Sequence, residues 1–224
     1  MLSCKSLDET PSTSLGNSRT LEKSSLVAQP PQLTYMSKLL RSLCSCFRPS
    51  EVMPIEENSR LLPDKSIVHM HKKTLLLDLD ETLIHSTFAH ETSADFNFSV
   101  KFGRQAVPVS VVKRPGVEEF LEECGALFEV FIFTASVPEY ANPIIDLLDN
   151  KKRVQHRLFR QDCTETNSGY IKNLSRVNRD LKDLIIVDVR FTQNSPYAYS
   201  FNPENAVPIK SWFSDPEDLS LIHI

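Results

Sequence analysis

The sequence predicts an α/β domain: a doubly wound, mostly parallel sheet with a small β-flap inserted after its first strand. Three observations predict it. From His69 onward, short apolar runs alternate with amphipathic helical stretches. Three of those runs end on polar groups, Asp78, Thr134 and Asp188. A segment of strand-like alternation between Phe88 and Arg114 interrupts the chain after the first run.

Taken in order, "KTLLLDLD" is the first strand, its three consecutive leucines being what burial on both faces of a parallel sheet requires. "FNFSV", Gly103 and "VPVSVV" read as a β-hairpin or a three-stranded flap. "VEEFLEECGALF" follows as a helix and "EVFIFTAS" as the next strand. "PEYANPIIDLLDN" is a second helix, in which Pro138 is tolerated in the first turn and Pro143 is expected to kink the interior. The Ser136 to Glu139 spacing reads as a capping box at its start. "KDLIIVD" supplies a further strand. The five glycines form no phosphate-binding loop.

Composition places this domain at 66–224 and an arm at 1–65. The arm is rich in Ser, Thr and Pro, buries too little apolar surface to offset ordering entropy, and reads as mostly disordered. Within it, residues 38–48 interleave leucines and basic residues around Cys44 and Cys46. That patch reads either as a reversible palmitoylation site making peripheral membrane contact or as a short amphipathic linker. A net charge of −4 argues against direct nucleic-acid binding, which needs a basic surface. No apolar run approaches the roughly 20 residues that span a bilayer, and the five scattered cysteines suit reduced thiols. Both point to the nuclear and cytoplasmic side of the membrane.

In open parallel sheets the functional crevice lies beyond the carboxyl ends of the strands, so Asp78, Thr134 and Asp188 are expected to meet there. Asp78 and Asp80 flank Leu79, and a turn out of the sheet at that point lets both carboxylates face the crevice. Two acids so close repel unless a cation or unequal environments separate them. Magnesium, which takes one or two carboxylates, waters and a phosphate oxygen, fits that need. A carboxylate beside it can attack phosphorus and form an aspartyl-phosphate. A calcium loop fails, because Leu83 stands where that loop requires glycine and Ala89 where it requires an acid.

"LLLDLDETLIHSTF", "VKRPGVEEFL", "FTASVPEYANPIIDLLD", "LFRQDC", "GYIKNLS" and "NAVPIKSWF", in this order, closely resemble the small C-terminal-domain phosphatases of the haloacid dehalogenase superfamily. The resemblance covers about His71 to Asp218 and implies a magnesium-dependent protein serine phosphatase acting on Ser-Pro phosphopeptides such as the RNA polymerase II C-terminal domain. It implies that Asp78 is the nucleophile and a metal ligand. Asp80 would be the acid and then the base, touching the metal through its carbonyl, with Thr82 holding it in place. Thr134 would bond a phosphate oxygen, Lys172 would neutralise charge on nucleophile and phosphoryl group, and Arg160 would contact the substrate phosphate. Asp188 and Asn194 would complete the metal site. Phe88, Val100, Phe102, Val109, Val137 and Tyr140 resemble the family's apolar pocket for the substrate proline. On the residues alone, Thr134 also reads as a helix cap, Arg160 and Lys172 as surface charge, and the valines as flap packing.

Two features depart from the family pattern. Val189 to Gln193 separate Asp188 from Asn194, which the family joins directly, and the resemblance implies a further helical segment beyond "SDPEDLSLIHI". A catalytically impaired phosphopeptide-binding form and a non-enzymatic scaffold are therefore the alternatives. The intact "DLDET" speaks against the scaffold.

Overall fold

The structure is a computed structural model, and it describes residues 60–167, 169–189 and 199–224. The first strand, β1 (Thr74–Leu77), is buried at all four positions. It is followed by β2 (Ile84–Thr87), β3 (Phe96–Phe102) and β4 (Gln105–Lys113), then α1 (Val117–Leu127), β5 (Glu129–Phe133), α2 (Pro138–Leu148) and β6 (Val154–Leu158). A short hairpin, β7 (Thr164–Thr166) and β8 (Gly169–Ile171), precedes β9 (Leu184–Val189) and β10 (Ala206–Ile209).

The main sheet has the order β10-β9-β1-β5-β6 and every described pairing in it is parallel. Alternation along the strands divides the core in two. Leu75, Leu77, Val130 and Ile132 face the layer that holds Leu121 of α1 and Ile144 and Ile145 of α2. Leu76, Phe131, Phe133 and Ile186 face the other side, where Leu62, Leu174 and Val177 cover them. Both helices share one face because β1 to β5 to β6 steps in one direction, and right-handed crossovers then fall on the same side. Short 3-10 turns such as Leu174–Arg176 cover the opposite face.

The flap is the three-stranded form, antiparallel in the order β2-β4-β3. Gly103, with φ 61°, is the first residue of its two-residue turn and adopts the conformation a type II′ hairpin needs there. The inner positions Val100, Val109 and Val111 are buried and join the helical layer, which favours the packing reading for Val100 and Val109, two of the three valines assigned to the pocket.

Three expectations are corrected. Residues 60–65 are docked rather than part of a loose arm: Leu62 is buried in the core and the Leu61 N–H bonds the Arg176 carbonyl at 2.9 Å. An adjacent leucine pair there has apolar surface to bury despite its polar neighbourhood. The capping box does not form, because α2 starts one residue late with Val137 as its N-cap, no side chain caps it, and the Ser136 hydroxyl is drawn elsewhere. Val189 continues β9, pairs with Ile209 and is buried, so it is strand rather than the start of an inserted loop. The Cys44 and Cys46 patch and Asn194 lie outside the described residues. Among the described residues no helix is long and apolar enough to cross a membrane.

Candidate active site

β1 is the hinge of the topology. The chain moves outward from it through β5 and β6, then returns to β9 on its other side. The carboxyl ends of β1 and β9 therefore flank the switch point, where open sheets bind ligands. Leu77 pairs with Val187, so the next residues, Asp78 and Asp188, are neighbours there. The Asp78 N–H still bonds the Val187 carbonyl at 3.0 Å. Beyond Asp78 the chain leaves the sheet through Asp80 and Glu81. Glu81 has φ 58°, a left-handed conformation that a non-glycine residue holds only when its surroundings enforce it. Its N–H bonds the Ile84 carbonyl and its own carbonyl accepts from the Trp212 N–H, each at 2.8 Å.

Lys172 enters from the end of β8 and is almost wholly buried. Its ammonium bonds Asp78 Oδ1 at 2.6 Å and Asp188 Oδ2 at 2.8 Å. Burial alone would lower its pKa, but Asp188 and Asp78 outweigh that and raise it, so the lysine is charged. The surface-charge reading of Lys172 therefore fails. Burial pushes Asp188 up to about 7 even though Lys172 pulls the other way, and the Asp78 charge adds to the rise. One ammonium does not balance the acids around it.

The opposite end of the sheet shows what balance looks like. Glu129 is buried there with a two-pronged ion pair to Arg179 and a hydrogen bond from Thr74 at 2.7 Å. Burial would raise its pKa, but those donors outweigh it and the net shift is downward. That end is structural; the surplus negative charge sits at the switch point.

The surplus suits a hard divalent cation. Asp78 and Asp188 both reach one ammonium, so their oxygens converge on one small volume. Among the described residues no cluster of three or more acidic, His or Cys side chains could hold a metal. Magnesium does not need one, since one or two carboxylates with waters and a phosphate oxygen satisfy it. The donor set fits magnesium.

Side-chain partners differ from expectation at three residues. Thr82 donates to Asp78 Oδ2 at 3.1 Å, so it holds Asp78 rather than Asp80. The turn at Glu81 points Thr82 back at the strand end. Asp80 is held by the Ser136 hydroxyl at 2.7 Å and the Tyr140 hydroxyl at 2.5 Å. Tyr140 is fully buried with its phenol spent on Asp80, so it does not line an open substrate pocket. Phe88 is half-buried and tilts against the Tyr140 ring at a centroid distance of 6.4 Å. Thr134 is buried at the end of β5, and its hydroxyl accepts from the Ser136 N–H at 3.0 Å, which shapes the loop before α2. Arg160 is tied to that loop: its Nε donates to the Ala135 carbonyl at 2.7 Å, its N–H to the Ser136 carbonyl, and its guanidinium lies over Tyr170.

Two functional-looking residues were missed by sequence reasoning. Ser136 was assigned to helix capping. Arg114 enters only as the end of the flap segment and within "VKRPGVEEFL", with no role of its own. It is 1% exposed, forms a bidentate pair with Asp218, and donates to the Thr82 and Lys210 carbonyls. No local spacing announces either role, because both partners lie far away in sequence.

This arrangement defines a class: a parallel α/β domain whose topological switch point gathers acids around one buried lysine. The chain belongs to the NLI interacting factor-like phosphatase family, whose model matches residues 73–224. It is 52% identical over 164 residues to "Phosphatase PSR1" of Saccharomyces cerevisiae, covering 73% of this chain and 37% of that one. It is 40% identical over 202 residues to the human "Carboxy-terminal domain RNA polymerase II polypeptide A small phosphatase 1", covering 82% and 76%. The chain spans about half the length of most of the curated relatives it matches. In fold it is similar to the fission yeast RNA polymerase II CTD phosphatase Fcp1, with a TM-score of 0.52 at 20% identity over 63% of this chain and 42% of that one.

Proposed function

We propose that this protein is a magnesium-dependent protein serine phosphatase that works through an aspartyl-phosphate on Ser-Pro-type phosphopeptides, such as the RNA polymerase II C-terminal domain. The observation that carries the reading is the Lys172 ammonium shared between Asp78 and Asp188 at the switch point. The names of the relatives support the substrate class.

In this reading an Asp78 oxygen attacks phosphorus. Lys172 and Thr82 fix the plane of its carboxylate, and each oxygen keeps a second lone pair for the attack. As the phosphorus–oxygen bond to serine breaks, Asp80 gives its proton to the departing oxygen; it then takes one from the water that attacks the acyl-phosphate. Lys172 holds charge on both Asp78 and the phosphoryl oxygens, and Arg160, anchored on the Ala135 to Ser136 loop, meets the phosphate from outside. Asp78, Asp188, the Asp80 carbonyl and Asn194 would hold magnesium. Bound there, it offsets negative charge on the acids and the phosphate.

Turnover of nitrophenyl phosphate and of a phosphoserine-proline peptide, with magnesium and with a chelator, tests the reading. Phosphate release with magnesium, its loss on chelation and its recovery on adding metal back are expected. Release from neither substrate at any metal concentration would sink the phosphatase reading, and release indifferent to chelation would sink the metal.

A pH dependence follows from Asp80. Burial pushes its pKa up to about 7, Glu81 and Asp78 add to the rise, and Tyr140 and Ser136 oppose it. The acid form is the one that protonates serine, so kcat/KM for the phosphopeptide should fall on the alkaline side with a midpoint near 7. A profile flat from pH 5 to 9 would remove Asp80 from the proton-transfer role.

A further inference from the structure

Asp80 is gripped by two hydroxyls from separate elements, and one of these is tied to a third hydroxyl on the flap. Ser136, in the loop after β5, donates to Oδ2 at 2.7 Å; Tyr140, on α2, donates to Oδ1 at 2.5 Å. The Tyr140 oxygen is in turn 2.5 Å from the Ser86 hydroxyl on β2 of the flap. A phenol has one proton, and an ionised Asp80 only accepts, so Tyr140 donates to Asp80 and Ser86 donates to Tyr140. Ser86, Tyr140 and Ser136 are all buried, so each hydroxyl depends on these partners. Donors on both carboxylate oxygens fix the rotation of the Asp80 side chain. A packing role alone would be met by phenylalanine at Tyr140.

We propose that Ser136, Tyr140 and Ser86 are positioning residues that aim the Asp80 carboxyl at the leaving oxygen of the substrate, and that the Ser86 to Tyr140 link ties this aim to the flap. The proposal rests on the proton-transfer role given to Asp80 above. It makes the three hydroxyls matter in proportion to how much the leaving group needs a proton. A serine alkoxide is strongly basic and cannot depart without one. A nitrophenolate departs unaided.

The test is turnover of a phosphoserine-proline peptide against nitrophenyl phosphate by Ser136→Ala, Tyr140→Phe, Ser86→Ala, Ser136→Thr and Asp80→Asn, each checked by thermal melting. Ser136→Ala and Tyr140→Phe should lower kcat for the peptide by about tenfold or more with KM little changed, against less than about threefold for nitrophenyl phosphate. Ser86→Ala should give the same pattern more weakly, and Ser136→Thr, which keeps the hydroxyl, should recover most of the peptide rate. Asp80→Asn should show the same selectivity in larger measure. Equal losses on both substrates, or none on either, in Ser136→Ala and Tyr140→Phe would overturn the positioning role while a selective Asp80→Asn left the parent reading standing. A non-selective Asp80→Asn would overturn the parent reading itself. Should Tyr140→Phe fail to fold, Ser136→Ala decides alone, because Ser136 sits in a loop and its truncation removes one oxygen.

Discussion

Asp78→Asn should reduce phosphate release by a factor on the order of 10⁴ or more while leaving the domain folded. An amide nitrogen or oxygen in place of the carboxylate cannot form the acyl-phosphate, so the loss falls on the chemical step. The fold should survive because asparagine has the same shape and its amide oxygen can still accept from Lys172 or Thr82. Removing the Asp78 charge also relieves the repulsion that helps raise Asp188. Thermal melting should therefore show a midpoint equal to or above that of the native protein. Residual turnover within tenfold of native would place the nucleophile elsewhere.

Asp218→Asn should be the most damaging substitution away from the acids. Arg114 is 1% exposed, and Asp218 is its charge partner across two hydrogen bonds of 2.9 and 3.1 Å. Leaving a buried guanidinium without its anion costs about 3–5 kcal/mol. For a domain of this size each kcal/mol moves the midpoint by about 2–4 °C, so a fall on the order of 10 °C is expected. Replacing Arg114 with Met, which removes the charge, should cost less. The damage should also reach catalysis, since Arg114 holds the Thr82 carbonyl and Trp212 holds Glu81, two of the bonds that brace the turn carrying Asp80. Hydrogen bonding by Arg114 keeps Asp218 below the usual carboxylate range. As pH falls below about 4 the unfolded chain takes up this proton first. The pair's contribution is present above that pH and is lost as pH falls through the folded value. An unchanged midpoint in Asp218→Asn would show the pair to be an ordinary surface contact.

The positions most legible in the sequence are those fixed by strand ends. Asp78 and Asp188 meet because apolar runs of known direction end on them and parallel sheets open at that end. The flap was legible from alternation and Gly103, and α1, β5, α2 and β9 from periodicity. What escaped was the choice of partner. Ser136 sits at a spacing that suits a helix cap, yet a nearby carboxylate competes for its hydroxyl and wins. Thr82 was assigned to Asp80 by resemblance, but the left-handed turn at Glu81, where no glycine signals it, turns Thr82 back to Asp78. Tyr140 was assigned to the apolar pocket by resemblance, whereas its burial forces the phenol to find an acceptor, and that acceptor is Asp80. Arg114 and Asp218 are 104 positions apart. Only register and tertiary contact bring such pairs together.

In the proposed reaction a covalent phosphoryl group forms on Asp78. The direct measurement is rapid acid quenching during turnover of a phosphoserine-proline peptide with magnesium, followed by borohydride reduction and mass analysis of the peptide spanning Thr74 to Thr87. Reduction of an acyl-phosphate converts that one side chain to an alcohol, and the expected mass change falls at Asp78, absent without magnesium and absent in Asp78→Asn. Steady phosphate release with no modified Asp78, or with the modification on Asp80 or Asp188, would contradict it.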